Sequence, residues 1–180
     1  MTADLQIPVL AELDFIPYCN EAGLLPPELA KVVGVYAIYD GEKTLQFVGY
    51  SRDLAMSLKQ HLVRCPALCH WVKVQTIERP NRTLLDSIQA AWLQENGVPP
   101  GNGVEQERWT QPIDVKIQMT SAEQAAYAAA INEAEQIQCL KKVARRVEAE
   151  RLAMLTVRGI QEPIRFDPKL KEQGLLNIKP

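Results

Sequence analysis

The stretch Val32-Val33-Gly34-Val35-Tyr36-Ala37-Ile38-Tyr39, then Asp40-Gly41, then Leu45-Gln46-Phe47-Val48-Gly49-Tyr50 decides how this chain folds. β-Branched and aromatic residues crowd both runs, and Asp-Gly between them is a strong short-range hairpin signal, so the two form a central antiparallel pair. Ser51 or Asp53 can cap the helix that follows; its Leu54, Leu58 and Leu62 recur every four residues, and Pro66 ends it. Trp71 to Ile77 alternates apolar and polar residues, the mark of a half-buried strand, and Pro80 stops it. Asn81 or Thr83 then caps a second helix that turns Leu84, Leu85, Ile88, Ala91 and Trp92 to the sheet and exits at Gly97.

Working outward, residues 1–31 carry scattered apolar side chains interrupted by Pro8, Pro17, Pro26 and Pro27, which predicts an extended lead-in with short helical pieces. Val98 to Gly103 is a turn-rich loop, and Ile113, Val115, Ile117 and Met119 alternate as a last strand. Thr120 and Glu123 read as a capping box opening one helix from about Ala122 to Val157, with no Gly or Pro inside it. Such a helix is about 50 Å long, more than a small domain is wide. After Gly159, the apolar residues Ile164, Phe166, Leu170, Leu175, Leu176 and Ile178 stand between prolines, a pattern suited to docking in extended form. The expectation is an α+β fold, a small antiparallel or mixed sheet flanked by helices, with a long C-terminal helix and an extended tail. Its divisions are a lead-in (1–31), a core domain (32–120), the long helix (121–158) and the tail (159–180).

A chain of 180 residues with 47% hydrophobic residues can bury a core of its own. Its net charge of −2 supplies no global field for phosphate backbones, so DNA is not favoured by charge. The basic group Lys141, Lys142, Arg145 and Arg146 is interleaved with glutamates and reads as the mixed surface of a solvated helix. No apolar run approaches the roughly 20 residues of a membrane span, and Met1 to Asp4 lacks the basic and apolar regions of a secretory leader. The four scattered cysteines fit free thiols in a reducing compartment, cytoplasmic or like the plastid stroma. His61, Cys65, Cys69 and His70 cluster, but Pro66 breaks the helix between the two cysteines and neither spacing is that of a zinc site, so packing is the expected role.

Gly34-Val35-Tyr36, Phe47-Val48-Gly49 ten residues on, and a helix bearing His61 together resemble the GIY-YIG nuclease domain. The run Leu45 to His61, with Pro66-x-Leu68-Cys69 and Gly97 to Asn102, is similar to the divergent cyanobacterial and plastid form of that domain, which in plants precedes a monothiol glutaredoxin. The resemblance covers about residues 32–119. It implies catalytic roles for Tyr36 and His61, nucleic-acid contacts for Arg52 and Asn102, and a redox role for Cys69. It also implies an arginine where Ser57 stands, a second tyrosine where Phe47 stands, and a metal-holding glutamate where Ala90 or Ala91 stands; Asp86, one turn earlier, is the substitute carboxylate. A neutral serine cannot replace a bidentate phosphate clamp.

Three readings follow. The first is a catalytically degenerate GIY-YIG-fold protein serving as a protein-binding or assembly module, which needs no cofactor. Its partner would be another protein, held by the C-terminal helix and the tail residues Ile164, Phe166, Leu175 and Leu176. The second is a DNA endonuclease with a rebuilt site that uses Mg²⁺ or Mn²⁺. The third is a thiol-regulated interaction protein acting through Cys69.

Overall fold

In the computed structural model, which describes residues 6–180, the hairpin forms one side of a four-stranded antiparallel sheet: its first strand is central, but its second is an edge strand rather than part of a central pair. Its strands are β1 (Ile16–Pro17), β2 (Val33–Tyr39), β3 (Leu45–Ser51) and β4 (Trp71–Ile77), in the order β1-β4-β2-β3. The fold is α+β as expected. The turn differs in detail from a tight Asp-Gly connection. Asp40 accepts from the amides of Glu42 and Thr44 through Oδ1 and from Gln46 through Oδ2, and the left-handed residue is Lys43, with φ 60°, rather than Gly41. One carboxylate thus organises a longer loop than the dipeptide alone predicts.

Both faces of β2 are covered, which is why the strand reads as a continuous apolar run. On one face Val35, Ala37 and Tyr39 pack with Val48 against Leu85, Ile88 and Trp92 of α2 (Arg82–Asn96). Asn81 is the cap of α2, and Gly97, with φ 76°, ends it in a conformation that favours glycine. The other face carries Tyr36, Ile38 and Phe47 toward α1 (Leu54–Arg64), capped by Asp53, and α3 (Gln106–Thr110).

The described part of the lead-in belongs to this unit, which ends at Thr110. Leu10 is fully buried in a short 3₁₀ turn (Leu10–Glu12) whose amides are held by Glu95: Leu10 N and Ala11 N each donate to a carboxylate oxygen at 2.9 Å. Trp92 Nε1 donates to the Pro8 carbonyl and Lys73 Nζ to that of Leu10. The leader expectation for Met1 to Asp4 lies outside the described residues.

The second unit runs from Gln111 to Pro180. The strand expected through Met119 stops early. Only β5 (Ile113–Asp114) is extended, because Asp114 accepts from Lys116 N and starts a 3₁₀ turn over Val115–Gln118, leaving Ile117 81% exposed. Thr120 and Glu123 form the capping box. The long helix is two helices, α4 (Ser121–Ala129) and α5 (Glu133–Val157). The break has a clear cause: Asn132 caps α5 by accepting from Glu135 N, while Glu135 accepts from Ile131 N at 2.8 Å.

The tail is paired to its own unit and is not wholly extended. It holds α6 (Pro168–Lys171) and β6 (Leu175–Leu176), and β6 pairs antiparallel with β5. Phe166 bridges Ile178, and Asp167 N and Lys179 N bond the Asn177 and Arg165 carbonyls. Phe166 and Leu176 are buried, while Ile164 and Leu175 are half-buried. Residues spaced for docking are thus largely taken up in closing this unit.

Candidate functional site

Tyr36 and Gly49 stand directly opposite each other across β2 and β3. A Cβ at position 49 would lie 2.6 Å from Phe47 Cε1 and 2.8 Å from the Tyr36 hydroxyl, so the strand needs a glycine for the ring to lie across it. From the other side α1 presents Ser57, His61 and Arg64, spaced i, i+4, i+7 on one face. With Tyr36, Phe47 and Gly49 they line a pocket of about 350 Å³, completed by Tyr50, Gln60, Gln89 and Thr110.

The core of the site is a hydrogen bond of 2.7 Å between the Tyr36 hydroxyl and His61 Nε2. The imidazole is 4% exposed and wedged among Tyr36, Phe47 and Trp109; the Phe47 and Trp109 rings lie parallel with centroids 5.5 Å apart. Its Nδ1 is buried without a hydrogen-bond partner, either as a bare lone pair or as an N–H, according to which group donates to the other. Burial, reinforced by the Arg64 charge, drives the His61 pKa down to about 3 against the pull of the Trp109 carbonyl. Burial also raises the Tyr36 pKa well above its ordinary value, although Ser57 and Arg64 pull the other way. Both groups are therefore neutral at physiological pH.

Arg64 lines the site too, although the sequence resemblance does not point to it. It is 7% exposed, and its Nη1 donates to the Trp109 carbonyl at 2.9 Å. Burial lowers its pKa, yet a guanidinium stays charged, so it brings a fixed positive charge to the pocket wall. The signal was available: seven residues after Ser57 is two turns along the same helix face.

Other expected residues sit elsewhere or do other work. Ser57 donates to Ser51 at 2.7 Å. Asn102 is spent on the fold: its Oδ1 accepts from Val48 N and its Nδ2 donates to the Val48 carbonyl, both at 2.7 Å, which ties the 98–103 loop to β3. Arg52 is exposed and outside the pocket lining. Asp86 is also outside it, 3.8 Å from Arg82 and hydrogen-bonded with Tyr50, whose pKa it raises. Cys65 and Cys69 are fully buried, Cys19 and Cys139 half-buried, and none of the four is in a disulfide.

A divalent cation of the Mg²⁺ type needs oxygen ligands, carboxylates above all. No Asp or Glu is among the residues that line this pocket, and among the described residues no group of His, Cys, Asp and Glu could hold a metal. The donor set of hydroxyls, amides, one imidazole and one guanidinium does not fit such an ion. His61 Nε2 is engaged by the Tyr36 hydroxyl, and the tyrosine holds its proton at physiological pH.

The chain is similar to part of a plastid protein. The bifunctional monothiol glutaredoxin-S16, chloroplastic, of Arabidopsis thaliana is 40% identical over 98 residues, which is 52% of this chain and 32% of that protein. The match thus spans about a third of that relative's length. No protein-family model matches the chain. Among the described residues no helix is long and apolar enough to cross a membrane.

Proposed function

We propose that this chain is a catalytically degenerate form of the GIY-YIG nuclease fold that serves as a protein-binding or assembly module. The observation that carries the reading is the neutral Tyr36–His61 pair, closed on itself in a pocket lined by no carboxylate. The hairpin with Tyr36 facing Gly49, the helix beside it and the similarity to part of a bifunctional chloroplastic monothiol glutaredoxin support the reading. Because most of the tail's anchors are internal, we assign the partner contact to the region of α5, where Ile131 before its cap and Val157 at its end are each 88% exposed. A location like the plastid stroma, or the cytoplasm, agrees with the chloroplastic relative.

The test is a calorimetric titration with Mg²⁺ and Mn²⁺ beside a supercoiled-plasmid nicking assay, on the wild type, Tyr36→Phe and His61→Ala. The expected result is no metal binding, and nicking no greater in the wild type than in either variant. Metal-dependent nicking lost in both variants would overturn the reading in favour of a rebuilt endonuclease.

The relative's name gives a second reading some support, since that protein is a monothiol glutaredoxin. In this reading the reachable thiols are Cys19 and Cys139, not the buried Cys69. Mass spectrometry after exposure to glutathione disulfide should find the mixed disulfide at one of those two; modification of Cys69 alone would refute that assignment.

A further inference from the structure

The basic group on α5, read in the sequence as one solvated surface, is divided by the fold. Arg146 is consumed by two carboxylates, Glu123 and Glu150, at 2.7 Å each. Lys142 faces another concavity, between α4 and α5. Lys141 and Arg145 instead border a pocket of about 320 Å³ whose opposite wall is the tail, through Pro168, Lys169, Lys171 and Glu172. Four cations from segments more than 20 residues apart thus meet around one hollow with a single carboxylate in its lining.

Two of the four are fixed by ion pairs that leave them at the hollow's edge: Lys141 to Glu172 at 3.0 Å, and Lys171 to Glu148. The side chains of Arg145 and Lys169 are exposed and make no ion pair among the described residues. The setting adds to this. Residues 111–180 hold eleven Lys and Arg against nine Asp and Glu, a balance of +2, whereas residues 1–110 hold nine against thirteen, a balance of −4. An anion meeting this protein is drawn to the second unit.

We infer that the hollow between α5 and α6 binds a phosphate group, Arg145 offering its planar fork of donors and Lys169 a point charge, while the ion-paired Lys141 and Lys171 shape its walls and add no net charge. The site shares no residue with the Tyr36 pocket and stands whether or not the reading of that pocket does. The phosphate can belong to a free phosphorylated compound or to a nucleic-acid strand, and two probes separate these sources.

The experiment is calorimetry at low salt on the full chain, with inorganic pyrophosphate and, separately, a short oligothymidylate. The proteins are the wild type, the double variant Arg145→Glu with Lys169→Glu, and Tyr36→Phe. Both replaced side chains are exposed and unpaired, so the fold should survive, and circular dichroism checks it. Binding in the wild type and in Tyr36→Phe, weakened about tenfold or more in the double variant, is expected. Pyrophosphate alone giving heat assigns the site to free phosphates; the oligonucleotide alone, with an affinity that falls as salt rises, assigns it to a strand. Heat from neither probe, or equal binding by the folded double variant, would overturn the inference.

Discussion

Lowering the pH from 7 to 5 should weaken this fold through one residue. His61 is neutral in the folded protein, with a pKa of about 3, whereas in the unfolded chain it takes up a proton near 6.5. Below pH 6.5 the unfolded state therefore binds more protons, so the stability that His61 contributes is complete above that pH and drains away as pH falls toward 3. Each pH unit in that window is worth about 1.4 kcal/mol, so the loss between 6.5 and 5 is about 2 kcal/mol. The cause is local: the imidazole has 4% of its surface exposed, lies among three aromatic rings, and feels the Arg64 charge. Urea unfolding at pH 7 and pH 5, on the wild type and on His61→Gln, isolates the effect because the carboxylates are common to both. The wild type should lose about 2 kcal/mol more than the variant over this interval. An identical pH dependence would falsify the buried, neutral histidine.

Three further outcomes are expected. Gly49→Ala places a methyl group against Phe47 and the Tyr36 hydroxyl, and should cost about 1–3 kcal/mol and displace the tyrosine from His61; an unchanged melting temperature speaks against the packing described. Asn102→Ala strips both main-chain groups of Val48 of an Asn102 partner, although Gln89 still donates to its carbonyl, and should cost about 2 kcal/mol in chemical denaturation. Glu123 accepts a forked contact from Arg146 and the Thr120 amide, which hold its pKa near 2, so the contribution of this pair is present above pH 4.5 and lost as pH falls toward 2. Glu123→Gln should remove about 1 kcal/mol or less at pH 7, and a thermal melt in acid should show the difference shrinking.

The sheet and its two covering helices were legible because their signals are local and agree. A period of two in Trp71–Ile77, a period of four through Leu54, Leu58 and Leu62, and side-chain caps at Asp53 and Asn81 all point the same way. Where local signals conflict, the reading failed. Ile113 to Met119 alternates like a strand, but Asp114 bends the backbone at once. The break before α5 carries no Gly or Pro, yet Asn132 followed by Glu135 is a capping signal as plain as the one read at Thr120. At the site, Tyr36, His61 and Ser57 line one pocket, whereas Arg64 lies seven residues beyond Ser57, the position where the resemblance implies an arginine, and the fold brings it to that wall. Asn102 looked like a ligand contact since its partner, Val48, is 54 residues away and only the fold reveals it. The tail's role was hidden for the same reason: β6 finds β5 across some 60 residues of chain.

The stitching of the lead-in to α2 bears on how the protein is made. Leu10 and Ala11 are held by Glu95, and Pro8 by Trp92, contacts 84 or 85 residues apart in the sequence. During synthesis the apolar lead-in emerges long before its partners, and closing a loop of that length costs about 4 kcal/mol of chain entropy. Until α2 leaves the ribosome, Leu10 has no core to enter and the face of β2 that bears Val35 and Ala37 is uncovered. The first unit therefore closes only when its two ends, the lead-in and α2, are both out of the ribosome, so nearly its whole length is synthesised before that closure.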